Sequence, residues 1–158
     1  MKTLKPALDA IDRRILAALQ ADGRMSMVDL AEKAGLSPTP CLRRVQRLER
    51  EGVIAGYAAR IDPAAVGRTL HAFVQVNLDN HAEEAVAVFQ QAVMQRPEVV
   101  ACYAVSGDVD YLLQVMVPDL EAYSEFALKA LLRMPGVKDT RSSFAMAVLK
   151  PFTGVPIG

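Results

Sequence analysis

Residues 35–52 read GLSPTPCLRRVQRLEREG, and few folds can use such a stretch. Gly35 offers a tight turn and Ser37 is a favoured helix N-cap. Pro38 stands at the first helical position, where its missing N–H costs nothing. Leu42, Val45 and Leu48 then recur at helical spacing as an apolar seam. At about 100° per residue, Arg43, Arg47 and Arg50 gather on the opposite side, with Thr39 and Gln46 beside them. A short helix of this kind is either a solvated surface helix or one that enters a DNA groove. Its neighbours decide between the two.

Two more helices precede it. The first is expected over residues 10–21, with Asp9 as N-cap, Asp12 at the positive N-terminal end and Gly23 closing it. Ile11, Ile15, Leu16 and Leu19 form its buried face. The second starts after Ser26, includes Val28, Leu30 and Ala31, and stops near Gly35. Ser26 with Asp29 makes a capping box with Asp in place of Glu. After Gly52, residues 53–59 (VIAGYAA) read as a short hairpin or wing. Three such helices and a wing make a winged helix-turn-helix over residues 1–61, and the groove-reading interpretation prevails.

The charge distribution agrees. The whole chain is neutral, but residues 1–60 hold 11 Lys/Arg and 7 Asp/Glu, a net of +4, and residues 61–158 hold 7 and 11, a net of −4. A basic front half suits a polyanion. With 52% hydrophobic and 23% charged residues the chain is expected to fold, and no apolar run approaches the roughly 20 residues of a bilayer span. The start, MKTLKPALDAIDRR, lacks the apolar core of a signal peptide. Cys41 and Cys102 have no metal-ligand spacing and read as reduced thiols of a cytoplasmic protein. Cys41 lies near the seam, which favours a packed small hydrophobe over a redox switch.

Asp62-Pro63 and Gly67 mark a linker over residues 62–70. Beyond it, a strand pattern over 71–78 is followed by a helix over 82–95, strands over 99–105 and 111–117, a helix capped by Asp119, and a last strand over 137–149. Val86, Phe89 and Val93 form one core stripe; Leu120, Tyr123, Ala127 and Leu131 form another, and Pro135-Gly136 ends that helix. The order βαββαβ over residues 71–150 is the ferredoxin-like unit, which makes the chain α+β. Its sheet has helices on one face only, so the other face needs cover, which a partner subunit would provide. Residues 151–158 form a tail with little to bury.

Each candidate site has a plainer reading beside it. Arg43 and Arg47 suit guanine O6 and N7; Thr39 suits a thymine methyl or a phosphate. Ser37, Arg44 and Arg50 suit phosphates, and Gln46 fits either role. Alternatively, Arg44 and Arg50 pair with Glu49 or Glu51 on the helix surface. The turn Ser106-Gly107-Asp108-Val109-Asp110 carries two carboxylates, but no third acid, His or Cys adjoins them, which leaves a metal or catalytic pair poorly supported against an ordinary hairpin turn. His71 and His81 are too isolated to suggest a ligand set. The chain has no nucleophile–base set and no cofactor motif, so an enzyme ranks last.

Four stretches carry a resemblance: LDAIDRRIL, GLSPTPCLRRVQRLEREGVIAGYAA, VSGDVDYLL and LLRMPGVKDTRSS. In order and spacing they resemble the leucine-responsive regulatory protein and AsnC family of bacterial and archaeal transcription regulators, nearest its leucine-responsive branch. The resemblance covers almost the whole chain. It implies a sequence-specific regulator of amino-acid metabolism genes, acting on double-stranded DNA in the cytoplasm and nucleoid. It also implies an ACT-like (RAM) second domain, dimers assembling into octamers or larger discs, and a small amino-acid effector such as leucine or methionine bound between dimers, with no other cofactor. By the same resemblance the 105–110 turn borders the effector pocket. Asp110 is then the choice for the ligand's ammonium, with Val105, Ser106, Gly107 and Asp108 shaping the pocket and Leu132, Thr140 and Phe144 tuning the response. The rival reading is a nucleoid-associated protein that wraps DNA with little ligand response.

Overall fold

The computed structural model describes residues 7–158, so the expectation about the first six residues lies outside the described part. Two compact units are present. One runs up to Arg60 and includes Lys150–Gly158, and the other is Ile61–Leu149.

The helical unit holds α1 (Ala10–Ala21), α2 (Met27–Ala34) and α3 (Pro38–Arg50). Asp9 caps α1 by accepting from the N–H groups of Ile11 and Asp12, while the Asp12 carboxylate accepts from the Asp9 N–H at 3.2 Å. This reciprocal box fixes the helix start. The C-cap is Asp22 rather than Gly23, its N–H donating to the Ala18 carbonyl at 2.9 Å. Ser26 caps α2 through the Asp29 N–H, and Gly35, at φ 73°, ends it in the left-handed conformation. Ser37 takes the N-cap position of α3 with extended backbone but makes no side-chain capping bond. Pro40, third residue of the helix, has no N–H to give it.

Ile15, Leu30, Ala31, Ala34, Cys41, Val45 and Leu48 form this unit's core. The seam of α3 is therefore Cys41–Val45–Leu48, and Leu42, expected inside, is 41% exposed. The expected hairpin over 53–59 is absent. Val53 and Ile54 both donate to the Leu48 carbonyl, which closes α3. The chain beyond is unpaired because Gly56 interrupts its one extended run before Asp62-Pro63. The tail is irregular, as expected, but it packs with the helical unit instead of standing apart.

The second unit opens on a 3-10 turn, Ala64–Val66, inside the linker. Then come β1 (Leu70–Leu78), α4 (Glu83–Met94), β2 (Val99–Ala104), β3 (Tyr111–Val117), α5 (Leu120–Lys129) and β4 (Val137–Phe144). The strands form one antiparallel sheet in the order β2-β3-β1-β4, the ferredoxin-like arrangement. Ala72, Val74, Val76 and Leu78 alternate inward with Tyr111, Leu113, Val115 and Val117, against Phe89 and Val93 of α4 and Tyr123 and Phe126 of α5.

Two expectations shift here. Leu120 is 57% exposed, and Phe126 takes the core place expected for it. β4 ends at Phe144, not near residue 149: Phe144 pairs with Ala72, one more bond joins Ala145 N–H to the His71 carbonyl, and residues 146–149 do not pair with β1. The opposite sheet face carries Phe73, Gln75, Leu112, Gln114 and Met116, all half-buried.

Candidate DNA interface and effector site

The basic residues of α3 divide into two groups. Thr39, Arg43, Gln46 and Arg50 are exposed. Their spacing of four, three and four residues keeps them within about 60° of one another on the helix surface. Among the described residues, Arg43 and Arg50 make no ion pair. Arg44 and Arg47 are half-buried and turn toward α1. Arg44 Nη1 donates to Asp9 Oδ2 at 2.7 Å and to Asp12 Oδ1 at 2.9 Å, and Arg47 Nη2 donates to Asp12 Oδ2 at 2.5 Å.

Asp12 is 1% exposed. Burial pushes its carboxyl up, but the bonds from Arg47, Arg44 and the Asp9 N–H outweigh it and hold the group below the ordinary carboxylate value. These acids were missed as Arg44 partners from the sequence, where Glu49 and Glu51 stood nearer. Glu49 instead accepts from the Tyr57 hydroxyl at 2.9 Å. A signal was available: Asp12 lies three residues before Ile15 and seven before Leu19, on the buried face of α1, where a charge needs a partner. Ser37 is exposed at the start of α3, without a capping duty. Burial raises the Cys41 thiol above its usual range, so it packs as a neutral side chain.

In the second unit, the 105–110 turn joins β2 to β3. The Asp110 N–H donates to the Val76 carbonyl at 3.1 Å, and Val105 N–H donates to the Asp110 carbonyl at 3.0 Å. Both Asp110 side-chain oxygens are engaged. Oδ2 accepts from the Leu78 N–H at 2.8 Å, and Oδ1 meets His81 Nε2 at 2.9 Å. The Leu78 N–H first, then His81, keep this carboxyl below its usual range. His81, read as isolated, is thus the turn's partner from the β1–α4 connection.

Val105, Ser106, Gly107 and Asp108 are exposed around the turn, with Gly107 at φ 122°. Thr140 shares that end of the sheet, since it pairs with Val76, whose other neighbour is Tyr111. Phe144 does not: it pairs with Ala72 and meets Tyr123 edge-on at 5.0 Å, roughly 13 Å along the strand from Thr140. Leu132 is exposed on the 3-10 turn Leu131–Arg133. Within one chain the turn and Thr140 come together, and Phe144 stands apart from them. Among the described residues no cluster of three His, Cys, Asp or Glu could hold a metal ion, and no helix is long and apolar enough to cross a membrane.

A helix-turn-helix with an exposed basic stripe, joined to a βαββαβ unit with a polar turn at one end, defines a DNA-binding regulator with a small-molecule-binding domain. Comparison with known proteins gives the family. Residues 8–55 match the winged helix-turn-helix DNA-binding model and residues 71–155 the Lrp/AsnC ligand-binding domain. The leucine-responsive regulatory proteins of Escherichia coli K12 and Klebsiella pneumoniae are each 48% identical over 143 residues, covering 90% of this chain and 87% of theirs. A Neisseria meningitidis transcriptional regulator solved with L-methionine superposes with a TM-score of 0.91 at 42% identity, over 95% of this chain and 97% of that one. A feast or famine regulatory protein of Mycobacterium tuberculosis, also solved with L-methionine, gives 0.81 at 37% identity over 92% and 96%. The chain belongs to the Lrp/AsnC family of DNA-binding transcriptional regulators, with that family's amino-acid-binding domain.

Proposed function

We propose that this regulator reads promoters of amino-acid metabolism genes through Thr39, Arg43, Gln46 and Arg50, and answers to a small amino acid at the 105–110 turn. The observation that carries the reading is the exposed stripe on α3 beside arginines already spent on Asp12. Arg43, free of ion pairs among the described residues and near the start of the helix, is the base reader for guanine. Gln46 suits adenine, Thr39 a thymine methyl, and Ser37 and Arg50 phosphates. Arg47 is assigned to positioning rather than base readout, since its Nη2 is given to Asp12, and Arg44 shares that duty.

For the effector, the ligand's ammonium exchanges with the exposed His81 imidazole at Asp110 Oδ1, while turn N–H groups of Ser106, Gly107 and Asp108 take its carboxylate. Val105 and Thr140 line the same end, and Leu132 and Phe144 enter from an adjoining copy. L-Methionine is the first ligand to try because two relatives were solved with it. The half-buried Phe73, Leu112 and Met116 of the open sheet face meet a second copy, and dimers assemble further, toward octamers, in the cytoplasm. The ligand acts by preferring one assembly, since equal affinity for all shifts nothing.

DNA selected from a random-sequence pool, then footprinted with and without L-methionine or L-leucine, tests this. Discrete sites that change with ligand are expected. Uniform coverage indifferent to ligand would instead mark a DNA-wrapping architectural protein.

A further inference from the structure

Residues 150–158 belong to the helical unit although they form no helix or strand. Gln20, near the end of α1, accepts the Val155 N–H on Oε1 at 3.0 Å and donates from Nε2 to the Val155 carbonyl at 2.7 Å. One side-chain amide thus satisfies both backbone groups of a residue, as a neighbouring strand would. Arg60 Nη2 donates to the Thr153 carbonyl at 3.0 Å, and Arg13 donates to the Gly158 carbonyl. Val155, Pro156 and Ile157 border a cavity of about 400 Å³ whose apolar wall includes Leu16, Leu19 and Ile54. Gly154 permits the approach. Its φ is 136°, and a Cβ there would fall inside the Gln20 side chain.

Backbone-directed hydrogen bonds beside an apolar groove are how proteins capture extended peptides. We infer that the tail is a strap, a peptide ligand carried in the same chain, which docks on the DNA-binding unit and relays the amino-acid response to it. The chain leaves the helical unit at Arg60 and re-enters it at Lys150, six residues after Phe144 ends β4. Two chain segments therefore join the units, and the second continues directly from the strand that carries Thr140. The docking stands on these contacts alone; the relay rests on the effector reading given above.

Hydrogen exchange of the full chain, followed by mass spectrometry on the 150–158 peptide, tests the docking. At the Val155 N–H, the tail amide that donates a hydrogen bond, slowing of roughly tenfold or more relative to unstructured peptide is expected, the factor that about 1.4 kcal/mol of hydrogen bonding provides. Gln20→Ala and Gly154→Val should each abolish it. Free-peptide rates in the wild type would overturn the docking. So would protection that disappears on dilution, which would seat the tail on a second copy. For the relay, Gln20→Ala should bind L-methionine by calorimetry like the wild type while its DNA affinity no longer shifts with that ligand. An unchanged shift would overturn the relay. A wild type whose DNA affinity ignores every amino acid would sink the relay together with the effector reading, and leave the exchange result standing.

Discussion

Asp12 in the helical unit and Asp110 in the sheet unit both keep their charge below the usual carboxylate range, by different means. Asp12 is 1% exposed and held by two guanidiniums. Its side chain has no solvent through which to change partners. Asp110 is 28% exposed on its side chain, and one of its two partners is an imidazole that is 66% exposed. One oxygen locks the turn through Leu78, while the other faces an exposed imidazole. Under the function proposed above, the first carboxylate holds the reading surface still, and the second serves a site that responds.

Breaking the lock should give the largest effect. Asp12→Ala leaves Arg47 and Arg44 facing a desolvated gap, and the full chain should lose about 3 kcal/mol of stability in chemical denaturation. That is the low end for a broken buried pair, because both arginines keep part of their solvent. The same substitution at Asp110 should cost about 1–2 kcal/mol, since only the Leu78 N–H is left unsatisfied. Equal costs at the two positions would erase the contrast.

Arg43→Ala should weaken binding to selected DNA by about 1–3 kcal/mol and leave stability within about 0.5 kcal/mol. If random DNA suffers as much as the selected site, Arg43 holds phosphate and does not read bases.

Acid should expose the same contrast. Asp12 has a lowered native value, so its stabilisation is complete above the unfolded carboxylate range, about 4. It is lost as pH falls through the lower native value. Asp110 has the same sign. Denaturation at pH 5 and pH 3 should show the helical unit of the wild type weakening more than that of Asp12→Asn. A parallel loss in both would remove Asp12 as the cause.

The smallest change is expected from His81→Ala. It keeps the Leu78 bond, frees Oδ1, and should leave stability within about 0.5 kcal/mol. L-Methionine binding by calorimetry should persist or tighten. Complete loss would mean that the imidazole, not the carboxylate, receives the ligand.

Much of this was legible in the residues, and what was not has a common cause. The cap residues and spacings placed α1, α2 and α3 within a residue or two, and strand alternation located β3 to the residue. Local rules work for such elements because their determinants lie within a few positions. The Asp12–Arg47 pair spans 35 residues and Asp110–His81 spans 29, so no local pattern announces either one. Leu42 was misplaced because its step of three to Val45 fits a helical seam as well as the step of four from Cys41, and helix rotation turned Cys41 inward instead. The tail looked inert because its ties are made by its own backbone to Gln20 and Arg60, and backbone groups leave no trace in side-chain composition.

One paired measurement tests the proposed division of labour between Arg43 and Arg47. Arg43→Ala and Arg47→Ala are each titrated against the selected DNA, with the thermal midpoint of each recorded in parallel. Arg43→Ala should lose DNA affinity roughly 5- to 150-fold with an unchanged midpoint, and Arg47→Ala should lower the midpoint before it touches intrinsic base preference. An Arg47→Ala protein with the wild-type midpoint and lost specificity would make Arg47 a base reader and overturn that division.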